Sequence, residues 1–299
     1  MINFKPVSLS DKNWIEDIVR SDGTKSINYN FADIFTWNEA YGQSVSCIGS
    51  RIIAKSHWLK NTVYSFPIGT GPVNEAIDML IARTTADNIP LCLVSLDESH
   101  IQLLNDAYPG KFTFESNPNA FEYVYLAEKL ASYSGKALHG KRNHCNNFEA
   151  QFKWSFESLC SANFNICREL LRTWDERNSS RVGESISNEY KAIIKALNNF
   201  DALSLDGGIL FADSNPVGFS IGSYYTDNYF DVMFEKADID INGAYPMVCR
   251  EMVKLAMKKH PDIIYINREE DMGIESLRTS KLSYKPEFLI KKYNAVYKG

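Results

Sequence analysis

The sequence predicts an α+β protein made of two similar halves, each a mixed, mostly antiparallel sheet flanked by helices. Its 299 residues exceed one typical domain core, and 44% of them are hydrophobic, which gives enough apolar surface for two cores. The order of predicted elements in residues 153–299 also repeats the order in residues 1–126. We therefore expect an N-terminal domain at 1–126, a helical connector at 127–152 and a C-terminal domain at 153–299.

The first half is predicted to run as strand, two helices, three strands, helix, strand, helix and two strands. Asp11 is a suitable N-cap for the first helix, and Val73, Ile77 and Leu80 give a later helix an apolar stripe at helical spacing. That later helix opens at Pro72, which the first turn of a helix tolerates. The predicted strands are 4–7, 44–48, 51–58, 62–67, 91–94, 112–115 and 121–126, and the other helices are 11–20, 31–41 and 98–108.

The second half follows the same order. Val248, Met252 and Leu255 repeat the i, i+4, i+7 spacing of the stripe in the first half. The predicted strands are 154–159, 202–212, 216–225, 229–237, 263–266 and the closing pair within 288–297, and the predicted helices are 163–177, 187–199, one after 243, and 273–282. A matching order in two consecutive halves supports duplication more strongly than any single predicted element.

Composition and charge exclude several classes of protein. The formal net charge is −5, so the chain is not basic throughout, although residues 131–152 carry three Lys and Arg against one Asp and Glu. The six cysteines form no C-x-x-C pair, so we predict no zinc, redox or other metal site. No apolar run approaches the ~20 residues of a membrane span, and the N-terminus lacks signal-peptide features. We therefore expect a cytoplasmic protein with no integral membrane segment.

The predicted order of elements is that of the acetyltransferase fold. In that fold the fourth and fifth strands run parallel and separate at one end, which exposes backbone groups that an extended ligand can pair with. The helix after the fourth strand points its N-terminal amides at this gap, and such amides suit an anion. The order therefore indicates either group transfer or ligand binding, because fold alone does not determine function.

Four motifs carry a family resemblance that covers nearly the whole chain. They are FADIFTW (31–37), GKALHGKRNHCNNF (135–148), FEKADIDINGAY (234–245) and YINREEDMGIESLRTSKLSYKP (265–286). With these motifs the chain resembles a bacterial family of unassigned function. That family is similar to the catalytic C-terminal domain of phosphatidylglycerol lysyltransferase and, more distantly, to the Fem-type enzymes that build peptidoglycan bridges from aminoacyl-tRNA. The resemblance implies two tandem GNAT-like (acyl-CoA N-acyltransferase) domains, with the working cleft mainly in the second.

The chain departs from these relatives in two ways. Lipid-modifying lysyltransferases carry a membrane domain, and no such segment is present in this sequence. Acetyltransferases that use coenzyme A usually place R/Q-x-x-G-x-G/A before the helix after strand four, whereas here Asp240 replaces the basic residue and Tyr245 the last small one. A carboxylate repels a pyrophosphate and a tyrosine crowds the amides, so we expect coenzyme A not to bind in the usual manner.

The first candidate site follows the apolar strand 263–266. Asn267, Arg268, Glu269 and Asp271 lie where clefts form in this fold, and their carboxylates could hold the ammonium of an amine or aminoacyl group. Arg268 could bind a ligand carboxylate or phosphate through two hydrogen bonds. The alternative is an acidic cap on the next helix, where carboxylates suit the helix dipole.

A second set of candidates belongs to the end of strand four and the helix after it. Glu235 could act as a general base for an attacking amine, and Tyr245 or Tyr284 could donate a proton to a leaving group. Because neighbouring strand residues point to opposite faces, only one of Glu235 and Lys236 can face the cleft. Asn242 and Gly243 precede the helix and are candidate ligand-binding residues. The alternatives are an edge ion pair for Glu235 and simple packing for the tyrosines.

A third set is the basic segment 136–144, which contains Lys136, His139, Lys141, Arg142, Asn143 and His144. Positions 136 and 139, and 141 and 144, are i, i+3 neighbours if the segment is helical. Such a surface could hold the phosphates of a tRNA acceptor stem, with Asn143 as a hydrogen-bonding partner. The alternative is a solvated connecting helix. A further glycine-rich run, Gly69–Pro72, lacks the Lys-Ser/Thr of a P-loop and is predicted to be a tight turn.

These observations favour an acyltransferase that uses no metal, because attack on an activated ester needs only positioning, a base and a proton donor. The resemblance implies aminoacyl-tRNA as a donor ahead of acyl-coenzyme A. The acceptor would be an amine or hydroxyl on a small molecule, a peptide or a lipid headgroup. Two alternatives remain open: a non-catalytic module that binds a ligand with the same fold, and an ordinary acetyl-coenzyme A-dependent N-acetyltransferase.

Overall fold

The computed structural model describes residues 2–58, 61–178 and 184–299. The helices and strands of the sequence up to residue 153 are β1 (Lys5–Pro6), α1 (Lys12–Asp22), α2 (Phe31–Tyr41), β2 (Ser44–Ile48), β3 (Arg51–Trp58), β4 (Asn61–Ser65), β5 (Ile68–Gly69), α3 (Asn74–Ala86), β6 (Cys92–Leu96), α4 (Glu98–Ala107), β7 (Phe112–Ser116), β8 (Glu122–Leu126), α5 (Ala127–Ser132) and α6 (His139–Gln151). Those that follow are β9 (Trp154–Ser158), α7 (Phe164–Asn178), α8 (Glu184–Asn198), β10 (Leu205–Ala212), β11 (Asn215–Thr226), β12 (Tyr229–Ala237), α9 (Ala244–Lys259), β13 (Tyr265–Asn267), α10 (Glu275–Ser283), β14 (Phe288–Ile290) and β15 (Tyr293–Tyr297).

The chain forms two compact units, each built on one mixed sheet. The first unit comprises residues 1–122, 270–273 and 289–299, and the strand order of its sheet is β1-β2-β3-β4-β6-β15-β7, with β5 paired to β3. In this sheet β4 and β6 run parallel, while β2, β3 and β4, which correspond to the three consecutive predicted strands, form an antiparallel meander. The core of the unit includes Ile15, Val45, Ile53, Ile77 and Leu93, all fully or almost fully buried.

The second unit comprises residues 123–269 and 274–288, and its sheet has the order β14-β8-β13-β12-β11-β10-β9. The parallel pair is β12 and β13, in register from Tyr229 opposite Tyr265 to Asp231 opposite Asn267. Helix α9 packs against β10, β11 and β12, and α5 and α6 pack against α9. The two parallel pairs, one in each sheet, agree with the predicted fourth and fifth strands.

The sequence order suggests that each half closes its own sheet, and the structure differs. Strand β8 comes from the first half of the sequence but pairs with β13, and the last strand, β15, lies between β6 and β7 in the sheet of the first unit. Both strands are short runs of aromatic and aliphatic residues. Such runs fix the pleat of a strand but do not specify which neighbour it pairs with, so the exchange could not be read from local pattern.

The structure differs from the prediction at two local features, the start of α1 and the connector. Asp11 directly precedes α1, but its side chain makes no capping hydrogen bond to that helix. Its carboxylate instead accepts from the Ser8 backbone amide of the preceding turn at 3.0 Å and from the Trp14 indole at 2.9 Å. The connector forms two helices, α5 and α6, separated at Tyr133, whose φ of +48° is left-handed and ends α5. Because α6 begins at His139, Lys136 lies in the preceding turn and the predicted helical pairing of 136 with 139 is wrong.

None of the helices in the described residues is both long enough and apolar enough to cross a membrane.

Candidate active site

The candidate site of the second unit lies where β12 and β13 separate. Their last paired residues are Asp231 and Asn267, and beyond this point β12 continues to Glu235 while the chain after β13 reaches Arg268. The Arg268 guanidinium donates through Nη2 to Glu235 Oε1 at 2.7 Å. Both side chains are about nine-tenths buried, at 11% and 10% exposure. The structure therefore pairs Glu235 with Arg268, two residues that the sequence places at the ends of the adjacent fourth and fifth strands.

Each side chain of this ion pair has one polar atom that makes no hydrogen bond. Arg268 Nη1 and Glu235 Oε2 are both buried, and neither has a hydrogen-bond partner among the described residues. A buried polar atom without a partner costs about 1–3 kcal/mol, and more when its group is charged. An adjacent donor and acceptor, both unsatisfied, form an arrangement that a ligand carrying the complementary pair could complete.

The backbone around Arg268 is held from both sides. Its amide donates to the carbonyl of Tyr123 at 3.0 Å, and the carbonyl of Glu269 accepts from the Tyr123 amide at 3.1 Å. The Lys281 ammonium donates to the carbonyl of Arg268, and the carbonyl of Lys281 accepts from the Tyr125 hydroxyl at 2.8 Å. These bonds fix the direction in which the Arg268 side chain leaves the backbone.

Tyr284 forms the aromatic wall of the site. Its ring lies 4.5 Å from the Arg268 guanidinium carbon and 3.8 Å from the Lys141 ammonium, both distances taken to the ring centroid. Burial raises the pKa of the Tyr284 hydroxyl well above its ordinary value, so this phenol stays protonated at neutral pH. The sequence predicts Lys141 as part of a basic surface for phosphates, whereas the structure places its ammonium over the Tyr284 ring and near the charge of Arg268.

The site includes buried residues that sequence reasoning missed. The Arg268 guanidinium carbon lies 5.9 Å from the centroid of the Tyr125 ring. The ring centroids of Tyr133 and Tyr284 are 6.0 Å apart, and the Tyr133 hydroxyl donates to the carbonyl of Pro246 at 2.8 Å. Burial raises the pKa of the Cys249 thiol to about 11, so Cys249 is a neutral neighbour of the ion pair. No motif marks these residues. Their only signal is their position, in β8, directly after α5 and in α9, and these segments could not be connected before the pairing of β8 with β13 was known.

The other acidic-motif residues have separate surroundings. Asn267 is fully buried, and its side-chain oxygen accepts from the Glu269 amide at 2.9 Å. Glu269 itself is half-buried with a left-handed φ of +57°. Asp271 is fully buried in the first unit, where its carboxylate accepts from the Gly273 amide at 2.8 Å. That bond makes Asp271 part of a local turn.

Glu235 and Lys236 point to opposite faces of β12, as their adjacency requires. Lys236 donates to Glu189 at 2.8 Å, and its ammonium lies 3.9 Å from the Trp174 ring centroid. Tyr245 lies on this side too. Burial raises the pKa of its hydroxyl, and the neighbouring Ala237 backbone and Trp174 side chain lower it to a smaller extent. Lys236 therefore belongs to a second cluster with Glu189 and Trp174, and Tyr245 lies near this cluster but also feels the charge of Glu235, which raises its pKa further.

The N-terminus of α9 offers few free donors to an anion. The Ala244 amide donates to Ile241, the Met247 amide donates to Gly243, and Pro246 between them has no N–H. Helix α6 also lies close: a Cβ on Gly243 would be 2.5 Å from the carbonyl oxygen of His144. The side chain of Asn242 bonds to His144 at 2.8 Å. This helix end is therefore partly closed by the chain itself.

Most of the basic segment is engaged internally. Arg142 donates to the carbonyls of Tyr133 and Gly135, and Asn143 bonds to His139 at 3.0 Å. Lys136 is exposed in the turn before α6. In the first unit, the Gly69–Pro72 run is held by Arg51, which donates to the carbonyls of Pro67, Gly71 and Pro72.

Comparison with known proteins identifies the relatives of this chain. A sequence model described as phosphatidylglycerol lysyltransferase, C-terminal, matches residues 22–296. An uncharacterized protein of Mycoplasmoides gallisepticum is 28% identical over 196 residues, which are 64% of this chain. The chain spans about 60% of the length of that curated relative.

Solved structures resemble the whole chain. A conserved protein of unknown function from Bacteroides thetaiotaomicron is 31% identical with a TM-score of 0.94, and the match covers all of both chains. The C-terminal domain of a putative lysylphosphatidylglycerol synthetase from Agrobacterium fabrum is 11% identical with a TM-score of 0.70, covering 98% of this chain and 93% of that one. A tandem GNAT protein from the clavulanic acid biosynthesis pathway is 9% identical with a TM-score of 0.52, covering 100% and 99%. The predicted fold class, tandem GNAT-like units with mixed sheets, is confirmed.

Proposed function

This chain belongs to the family of the phosphatidylglycerol lysyltransferase C-terminal domain, and we propose that it is an acyltransferase that moves an aminoacyl group from an ester donor to an amine or hydroxyl. The observation that carries the proposal is the buried Glu235–Arg268 pair with one unsatisfied atom on each partner. Family membership supports acyl transfer as the type of reaction. The pair supports an aminoacyl group as the part transferred.

An aminoacyl group carries an ammonium and a carbonyl on adjacent carbon atoms. Glu235 Oε2 can accept a hydrogen bond from the ammonium, while Arg268 Nη1 can donate to the carbonyl oxygen. The same donor would stabilise the oxyanion that forms when the carbonyl carbon is attacked. Both atoms are covered by protein, so a ligand reaches them after a neighbouring side chain moves. In this proposal Tyr284, which is protonated and beside Arg268, donates a proton to the leaving oxygen.

Within this proposal, the remaining candidates have supporting positions. Asn267 holds the Glu269 backbone that follows Arg268. Aminoacyl-tRNA is the donor that we favour, with Lys136 as its exposed phosphate contact. An amine or hydroxyl on a small molecule, peptide or lipid headgroup is the acceptor.

Binding of amino-acid amides tests the proposal without knowledge of the acceptor. An amide carries the ammonium and carbonyl of an aminoacyl ester but no carboxylate. Calorimetric titration should detect binding to the unaltered protein, and Glu235→Gln and Arg268→Met should each weaken it at least tenfold. Glu189→Gln, which alters the ion pair on the opposite face of β12, is the matched control and should leave binding unchanged. Binding that survives both site variants would overturn the proposal.

Two alternatives remain distinguishable. A non-catalytic module would bind the same amides but would not consume aminoacyl-tRNA in the presence of any acceptor. An ordinary acetyltransferase would bind acetyl-coenzyme A with a micromolar dissociation constant, equivalent to about −8 kcal/mol. We expect no such binding, because Pro246 removes a donor from the first turn of α9 and Asp240 precedes it.

A further inference from the structure

Lys141 is the cation of the site that lacks a counter-ion. Its ammonium lies 3.8 Å from the centroid of the Tyr284 ring, and this is an attractive contact. No carboxylate in the described part of the chain lies within ion-pairing distance of it. The side chain is half-buried in α6, one turn before Cys145. Lys141 thus differs from most buried lysines, which are paired with an acid.

The titratable groups near Lys141 come from several different elements. Arg268 follows β13 and is the neighbouring cation, Glu235 at the end of β12 is the neighbouring anion, and Cys249 of α9 and Cys145 of α6 are thiols. The Glu235 carboxylate is already bonded to Arg268. Burial lowers the pKa of Lys141, and the positive charge of Arg268 lowers it further. The neutral amine is therefore more accessible at Lys141 than at a solvated lysine.

Glu235 is less well placed to accept a proton than its position at the end of β12 suggests. Its charge balances the buried guanidinium of Arg268 at 2.7 Å. Protonation of Glu235 would leave that guanidinium buried without a counter-charge, which is strongly unfavourable. Glu235 can thus orient an N–H group, but a different residue has to remove the proton.

We propose that Lys141 is the proton carrier of the transfer reaction. Its neutral amine accepts a proton from the attacking amine or hydroxyl as the new bond to the carbonyl carbon forms. The resulting ammonium, or Tyr284 with reprotonation from it, delivers a proton to the oxygen of the donor ester as the C–O bond breaks. Lys141 returns to its neutral form, so protons balance without a co-reactant. This inference rests on the acyl transfer proposed above and assigns the base within the same site.

Titration of Lys141 can be measured directly, without any assay of activity. The rate at which acetic anhydride modifies each lysine as a function of pH, followed by mass spectrometry of peptides, reports the pKa of that amine. We expect Lys141 to titrate below the exposed Lys136, which serves as the internal control in the same segment. In the double variant Glu235→Gln/Arg268→Met, which removes the neighbouring charges as a pair, the titration of Lys141 should move upward.

The kinetic test uses a readout that a structural role would not affect. Lys141→Ala should lower the rate of aminoacyl transfer by about 10²–10⁴-fold while amide binding changes little. A tertiary amine, which cannot itself become a stable acylated product, should restore part of that rate in Lys141→Ala and should not accelerate the unaltered protein. Lys258→Ala, which removes an exposed lysine in the last turn of α9 and outside the site, is the matched control and should need no rescue. Circular dichroism should verify that each variant is folded.

The outcomes separate the two proposals. If Lys141 titrates like Lys136, or if its alanine variant transfers at the original rate, Lys141 is not the proton carrier. The proposed acyl transfer would still stand if Glu235→Gln and Arg268→Met weaken amide binding. If those two variants bind amides normally, the aminoacyl site itself is wrong, whatever the titration of Lys141.

Discussion

Glu122 and Lys292 form an ion pair within the first unit, and both side chains are almost completely excluded from solvent, at 0% and 4% exposure. Glu122 also accepts from the Ser26 hydroxyl at 2.8 Å and from the Ile27 amide at 3.1 Å. Lys292 immediately precedes β15, and Glu122 begins β8. The pair therefore ties the last strand of the chain to the point where the sequence leaves the first unit.

Removal of one partner should leave the other charge buried and unpaired. We expect Lys292→Met to reduce the free energy of unfolding by about 3–5 kcal/mol, measured by urea denaturation. The adjacent Lys291 provides the control, because its pair with Glu98 is exposed and Lys291→Met should cost less than about 1 kcal/mol. Equal effects of the two substitutions would mean that the buried pair contributes nothing special to the placement of β15.

Gly243 should tolerate no larger residue. Its φ of +89° is left-handed, and an added Cβ would be 2.5 Å from the backbone oxygen of His144. Gly243→Ala should therefore lower stability by at least about 1–2 kcal/mol from the backbone conformation alone, with a further loss as α6 is displaced. Thermal unfolding measures this.

The control for that substitution is Gly140→Ala. Gly140 lies in α6 with nothing within 4 Å of its added Cβ, so the change should stabilise α6 by about 0.5–1 kcal/mol. Stabilisation by both substitutions would show that α6 does not lie as close to the start of α9 as described.

Because of Asp11, the free energy of unfolding should fall as the pH becomes acidic. Burial acts to raise its pKa, but hydrogen bonds from Lys5, Trp14 and Ser8 outweigh it and hold the pKa at about 2, below the ordinary 3.8. Because the folded value is the lower one, the stabilisation is complete above pH ~4 and is lost as the pH falls toward 2.

The shift corresponds to about 2 kcal/mol, which Asp11→Asn should remove at pH 6. Urea unfolding of the original and variant proteins at pH 6 and at pH 2.5 measures the difference. We expect the difference in stability between the two proteins to shrink to about a third of its size at the lower pH. A constant difference between them at both values would contradict the assigned cause.

The sequence predicted the order of the elements and the approximate ends of most of them, because those depend on local pattern. The stripe at Val73, Ile77 and Leu80 and the meander at 205–237 need no information from elsewhere in the chain. The same logic placed Glu235 and Arg268 on neighbouring strands. Local pattern could not show that Lys141 faces the site, because the packing of α6 against α9 determines which face of α6 is buried.

The partners of β8 and β15 also lay beyond local pattern. A strand sequence such as Glu122–Leu126 could pair with several neighbouring strands equally well. The strand that it does pair with is determined by side chains distant in sequence, such as Lys292. Arg142 was predicted as a phosphate ligand on charge and spacing alone. Charge is visible in a sequence, whereas the carbonyls of Tyr133 and Gly135 that occupy this guanidinium are not.

Binding of tRNA, if it occurs, should depend on Lys136 and not on Arg142. The Lys136 side chain is exposed, whereas Arg142 is bonded to two carbonyls of its own connector. Filter binding between 50 and 200 mM salt should give a log–log slope that Lys136→Ala reduces by about 0.7–0.9, the value expected for one lost phosphate contact. Arg142→Ala should instead lower the melting temperature, because it leaves those carbonyls without a donor, and the slope should change little in the folded fraction. An affinity that does not depend on salt would exclude tRNA as the donor. A slope that is reduced only in Arg142→Ala would mean that Arg142 breaks its hydrogen bonds to the two carbonyls in order to bind phosphate.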